Sequence, residues 1–183
     1  MTPIYEQGQG QGIGYSLETF LKRFNEICQE HLQSKRAIAF AFIFYDFDNR
    51  HFRKILKNQG VFAQLDRLAG KQLSIFYLHT KNAQTAEDFN KIFLLKLGIS
   101  DPLHLPSVVF FKVNNGKATD ILLAELNSAN SIHGFKELSD VIEDYINSKS
   151  QKNRNTIRFV NCLRSIGIDV LESLLADALK NCF

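Results

Sequence analysis

Sulfur is scarce in this chain, and the little present carries no pattern. The three cysteines, Cys28, Cys162 and Cys182, are widely spaced and odd in number. No CxxC pair and no Cys/His spacing exists among them, so neither a disulfide framework nor a zinc site is implied. Such usage fits a reducing compartment, and a cytoplasmic protein is the expectation. Methionine occurs once and tryptophan not at all. No apolar run approaches the roughly 18 residues of a membrane span, and the N-terminus has no basic stretch leading into an apolar one. Neither a membrane role nor a secretory leader is therefore expected. Charge of one sign is also lacking: the net charge of +3 is dispersed along the chain and makes no footprint for nucleic acid. Residues 7–12 alternate glutamine and glycine before Ile13-Gly14, but no strand is predicted before them and no acidic partner follows at the distance a dinucleotide fold needs. Residues 1–15 read as a flexible Gly/Gln-rich leader.

Phenylalanine is abundant, at 16 residues, and it falls where a core is expected. A helix capped by Ser16 and running to about Ser34 carries Leu17, Phe20, Leu21, Phe24, Ile27, Cys28 and Leu32 on one stripe. Cys28 on that stripe reads as a small buried hydrophobe rather than a reactive thiol. Ala37–Tyr45 is apolar on both faces, as a central strand covered by helices on each side would be. A helix then carries Phe52, Ile55 and Leu56 inward. A second, Val61 to Leu68, stops at Gly70, and the strand Leu73–Leu78 follows. Strand, helix, strand at this spacing predicts a right-handed parallel crossover.

Further along, Thr85-Ala86-Glu87-Asp88 opens a helix whose inward residues are Phe89, Ile92, Phe93, Leu95 and Leu97. After Asp101-Pro102 and Leu105-Pro106, the strands Ser107–Val113 and Thr119–Ala124 flank an Asn114-Asn115-Gly116 turn and predict a hairpin. A helix from about Gly134 to Asn147 presents Phe135, Leu138, Val141, Ile142, Tyr145 and Ile146 along one side. Residues 149–155 are a polar linker. Residues 156–183 read as a helical hairpin, Ile157–Ser165 and Val170–Lys180, with an Asp169/Glu172 capping pair. Its apolar positions Val160, Leu163, Val170, Leu171, Leu174 and Leu175 need a partner surface: the domain, a second copy or another protein.

The apolar first strand, Leu105-Pro106-Ser107, the Val108–Phe111 strand, the Asn115-Gly116 turn and the last amphipathic helix, in this order, resemble the thioredoxin-like fold over residues 16–148. The resemblance implies an α/β three-layer sandwich, with a central mixed four-stranded sheet and helices on both faces, here followed by the C-terminal helical extension. It also implies a cis bond before Pro106, a proline loop facing the start of the helix after the first strand, and exposed loop backbone able to pair with an extended peptide. Where that family carries Cys-x-x-Cys, this chain has Asp48-Asn49-Arg50-His51. Thiol–disulfide exchange needs a thiolate, and none of residues 44–57 is cysteine.

The candidate site implied is Asp48, Asn49, Arg50, His51, His104, Leu105 and Pro106, as a binder of a peptide or an anion at a helix N-terminus. The plainer reading has Asp48 capping the helix, Arg50 solvated and both histidines as loop residues. No nucleophile–base–orienter set, metal ligand group or cofactor motif is read from the spacing. Arg50, Arg53, Lys54 and Lys57 share one face of their helix. That stripe suits an acidic partner or a phosphate backbone, although stripes of this kind are more often solvated. Basic residues near the linker are not interleaved with stacking aromatics. The expectation is a redox-inactive protein-binding or assembly module, homodimeric through its C-terminal helices or bound to another protein. The competing reading is a single-cysteine enzyme with Cys162 or Cys182 folded against the proline loop.

Overall fold

Alternation within one central strand decides where every other element sits. The computed structural model describes residues 2–6, 14–15, 17–96, 99, 104–114, 117–126, 131–147, 159–162 and 166–167. In chain order the elements are β1 (Thr2–Glu6), β2 (Gly14–Tyr15), α1 (Leu17–Gln33), β3 (Ala39–Phe44), α2 (Arg50–Lys57), α3 (Gln59–Ala69), β4 (Leu73–His79) and α4 (Ala83–Lys96). They continue as β5 (Ser107–Asn114), β6 (Lys117–Glu125), α5 (Ser131–Asn147), β7 (Phe159–Cys162) and β8 (Ile166–Gly167). The chain is thus mixed α/β, and its strands form one open mixed sheet in the order β2-β1-β4-β3-β5-β6-β7, with β8 also on β6. The four strands read from the sequence lie at its centre. There β3 runs parallel to β4 and antiparallel to β5, and β5 forms the expected hairpin with β6.

Successive side chains of a strand point to opposite faces, and β3 sorts them by size. Phe40, Phe42 and Phe44 lie in one core with Phe24 of α1, Phe76 of β4, Phe89 and Phe93 of α4 and Phe111 of β5. Ala39, Ala41 and Ile43 lie in the other, with Phe52, Ile55 and Leu56 of α2, Leu65 of α3 and Leu138, Val141 and Ile142 of α5. On the phenylalanine face Phe24 meets Phe76, Phe93 and Phe42 edge-on, at 5.1, 5.5 and 5.8 Å between ring centres. Edge-to-face pairs add about 0.5–1.5 kcal/mol each beyond the area they bury, so one side chain ties α1 to two strands and to α4. On the opposite face the register sets Ala41 against Phe110. Phe110 stacks on Tyr145 of α5 at 4.3 Å and 11°. The small residue next door leaves room for that stack.

Local signals place the helix ends. The Asn58 side chain accepts from the Gly60 and Val61 amides while its own N–H bonds to Ile55 O, so one residue ends α2 and starts α3. Gly70 ends α3 at φ 53, a conformation that suits glycine, as its place in the sequence predicts. The fourth helix opens two residues before the expected Thr85. Asn82 Oδ1 accepts from the Gln84 amide at 2.9 Å and from the Thr85 amide at 3.4 Å, so asparagine takes the capping role. In β6, Asp120 sits at φ 52 where the pairing with β5 shifts by one residue, and its carboxylate pairs with Lys112 across the hairpin. That is the extra residue of a β-bulge.

Two expectations are corrected at the sheet edges. In place of a wholly unstructured leader, Thr2–Glu6 runs parallel to β4, from Thr2 opposite Phe76 to Tyr5 opposite His79. Thr2, Ile4 and Tyr5 are good strand formers, and β4 would otherwise present an open edge. Within the Gly/Gln tract, residues 7–13 lie outside the described residues. In place of a helix over residues 157–165, Phe159–Cys162 pairs antiparallel with β6, Val160 opposite Leu123 and Cys162 opposite Ile121. Phe159 and Val160 favour strand, and the free edge of β6 supplies the backbone partners that a short helix would have to find within itself. Leu163, Val170, Leu171, Leu174 and Leu175 lie outside the described residues.

A buried polar pair sits among the phenylalanines. His31 Nδ1 is 2.7 Å from Ser74 Oγ, and the His31 ring stacks on Phe76 at 5.7 Å. Burial first, then the charge of Arg36, holds the imidazole below its ordinary pKa. The unfolded chain therefore binds more protons than the fold once the pH drops through about 6.5. Stability is full above that value and declines as the pH falls toward the folded-state value. The urea midpoint is expected to drop between about pH 7.5 and 5.5, and the drop to shrink in His31→Gln. An identical pH profile in the two proteins would contradict this assignment.

Candidate functional site

At the end of the sheet where β3 and β4 finish, the chain brings three loops together. Phe44 pairs with Ser107, so the turn after β3 lies beside the proline loop that precedes β5. Parallel pairing of Ile43 with Tyr77 brings the exit of β4 to the same end. Ligands of open α/β sheets bind beyond the carboxyl ends of parallel strands.

The turn after β3 is held by its own hydrogen bonds. Tyr45 is buried, its hydroxyl donates to Leu78 O at 2.7 Å, and the Asn90 side-chain amide donates to Tyr45 O at 2.9 Å. Burial raises the Tyr45 phenol to about 12, against the lowering effect of Arg53. The Asp48 amide donates to Asp46 Oδ1 at 2.9 Å, an Asx turn. Asn49, not Asp48, caps α2: its Oδ1 accepts from the Phe52 amide at 3.0 Å. Asp48 is one residue too early for that geometry. Arg53 donates through Nη1 to Phe47 O at 3.1 Å, and its guanidinium carbon lies 3.7 Å from the centre of the Phe47 ring. A cation over a ring face is held electrostatically, so this arginine is fixed in place before any ligand arrives.

The proline loop is equally tied. Leu105–Pro106 is a cis peptide, as the resemblance implies. Ser107 Oγ donates to His104 O at 2.5 Å, and the Leu126 amide donates to Pro106 O at 2.9 Å. That carbonyl, expected to be available to an extended peptide, already accepts a bond from within the fold. Of the residues singled out from the sequence, Asp48, Arg50, His51 and His104 are exposed, Asn49 and Leu105 are half-buried and Pro106 is buried.

No thiol of a described side chain reaches this end. Cys28 is wholly buried in the phenylalanine core, and burial pushes its thiol well up. Cys162 lies on β7 opposite Ile121, four residues along β6 from Glu125, the partner of Ser107. That is roughly 13 Å along the strands and about two strand spacings across the sheet. Its backbone therefore does not fold against the proline loop. Cys182 lies outside the described residues. Among the described residues no group of His, Cys, Asp and Glu could hold a metal ion, and no helix is long and apolar enough to cross a membrane.

A second cluster at this end was not singled out from the sequence. His79, the last residue of β4, is half-buried, and its ring lies 6.2 Å from that of Tyr77, which meets Phe62 of α3 edge-on at 5.5 Å. Burial lowers the His79 pKa, and the charges that lower it further are Lys57, Lys81 and Arg53. The available signal was positional: a polar residue closing an apolar parallel strand. No protein-family model, curated protein or solved structure matches the chain.

The cap assignment has a direct check. Asn49→Ala is expected to lower stability to urea by about 1 kcal/mol, and Asp48→Ala by clearly less. The reverse order would return the capping role to Asp48.

Proposed function

We propose that this chain is a redox-inactive thioredoxin-like domain that works as a protein-binding or assembly module. The observation that carries the reading is the turn Asp48-Asn49-Arg50-His51 beside the proline loop, a place where dithiol chemistry would need sulfur and the chain has none. Support also comes from the central strand order β4-β3-β5-β6, with helices crossing both faces, which is the arrangement the resemblance implies. Without a thiolate the site cannot attack a disulfide. What it offers instead is exposed Arg50, His51 and His104 on the two loops, with Pro106 buried. A partner recognised there would meet exposed cationic and imidazole groups rather than a reactive centre. The tied backbone of both loops means that little ordering entropy opposes the encounter.

The test is insulin-disulfide reduction by the full chain beside a variant in which Cys28, Cys162 and Cys182 are all serine. Both are expected to match the uncatalysed rate. Reduction well above that rate, lost in the triple variant, would overturn the proposal.

A further inference from the structure

His31 lies at the opposite end of the strands from the proline loop, because Ser74 pairs with Phe40 near the start of β3 and Ser107 with Phe44 at its finish. Events there are independent of the protein-binding reading. This one residue makes three ties. Its Nδ1 is 2.7 Å from Ser74 Oγ and its ring stacks on Phe76, 5.7 Å between centres and 22° apart in plane, which fastens the end of α1 to β4. Its carbonyl accepts the Arg36 amide at 2.9 Å and the Ala37 amide at 3.4 Å, which fastens the turn that leads into β3. That turn is strained: Lys35 takes φ 54, a left-handed conformation where a helix end commonly places glycine. Gln33, Ser34, Lys35 and Arg36 are all exposed, whereas His31 is buried. The end of α1 thus combines the marks of a segment that opens locally, strained backbone and exposed residues, with one buried titratable side chain that holds it down.

We propose that the His31–Ser74 contact is a proton-controlled latch: neutral His31 holds the last turn of α1 and residues 34–37 on β4, and protonated His31 lets them go while both cores stay folded. Phe24, Ile27 and Cys28, one and two turns back, keep the rest of α1 in the phenylalanine core. A neutral imidazole finds its partner at Nδ1 in the Ser74 hydroxyl. Taking up a proton makes both ring nitrogens donors and sets a full charge beside Phe76, where little water can reach it. Burial opposes that charge most. Arg36 and the amino-terminal charge oppose it as well, and Glu30 on the same helix favours it. From β4 the ring meets a hydroxyl and a phenyl group, neither of them charged. Once the turn is released the imidazolium is solvated, and its pKa returns to the ordinary value of about 6.5. The released state then binds protons more readily than the latched one, so release is favoured as the pH falls through that value and reversed as it rises.

The test is amide hydrogen exchange and NMR titration of the full chain between about pH 7.5 and 5.5, with opening constants corrected for the intrinsic exchange rate. The Arg36 and Ala37 amides, which bond to His31 O, are expected to open through a fluctuation much smaller than global unfolding, with little dependence on denaturant. Below about pH 6.5 that opening should become more populated, by up to about tenfold per pH unit. The His31 ring signals and the amide shifts of residues 33–37 should titrate together, with one midpoint. In His31→Gln, which keeps a hydrogen-bonding side chain but cannot titrate, the local opening should be flat with pH. In Ser74→Ala it should be more populated at pH 7.5 and still rise on acidification. Exchange of Arg36 and Ala37 through global unfolding alone overturns the proposal, as does a local opening in the unaltered chain that ignores pH. Both of these outcomes are read without any variant. A His31→Gln protein whose local opening keeps the full pH dependence overturns it too.

Discussion

The size segregation along β3 is the constraint on which the rest of the structure depends. Three phenylalanines point one way, and two alanines and an isoleucine point the other. On the phenylalanine face the rings of α1, α4, β4 and β5 converge, and interiors packed at crystal-like density leave such rings few alternative arrangements. On the alanine face the helices can come close, because Ala41 leaves space for the Phe110–Tyr145 stack. Exchanging the two faces by a register slip of one residue would drive rings into the helix layer and leave voids on the other side. The same strand thereby fixes the positions of its two ends, and its carboxyl end is where the candidate site lies.

Much of the centre of the fold was legible because its signals are local and redundant. The apolar run of β3, the Gly70 stop of α3 and the Asn-Gly hairpin each specify an element from a few residues. The edges were harder to read. Thr2–Glu6 and Phe159–Cys162 become strands because a neighbouring edge offers hydrogen bonds, which is a tertiary cause that no short window contains. Residues 157–165 carry apolar positions compatible with a helical period, and pairing with β6 outweighed that pattern. At α2 and α4, two asparagines took capping roles expected of Asp48 and Thr85. Asn49 lies one residue downstream of Asp48 and Asn82 three residues upstream of Thr85, at helix boundaries where sequence reasoning is least sharp.

The candidate site divides in the same way. Proximity of the Asp48–His51 turn to the proline loop was expected from the resemblance, and the Phe44–Ser107 pairing brings the two loops to one end. The occupation of the Pro106 carbonyl by the Leu126 amide was not legible, since it depends on how β6 exits the sheet. Nor was the seating of the Arg53 guanidinium against the Phe47 carbonyl and ring, which depends on how the turn after β3 folds back on α2. The stripe Arg50, Arg53, Lys54 and Lys57 was visible as periodicity. Its division into a half-buried Arg53 held against Phe47 and exposed Arg50, Lys54 and Lys57 is a property of packing.

The account's central claim is that β3 organises both cores, and native-state amide hydrogen exchange of the full chain tests it most directly. Opening free energies in a fold range from near zero at frayed edges to the global value in its core. The amides of β3 and the strands bonded to it are expected to exchange only through global unfolding, with denaturant dependence equal to that of the whole molecule. Exchange of the β3 amides through a smaller local opening, while α5 or the β5–β6 hairpin stays protected, would contradict the account.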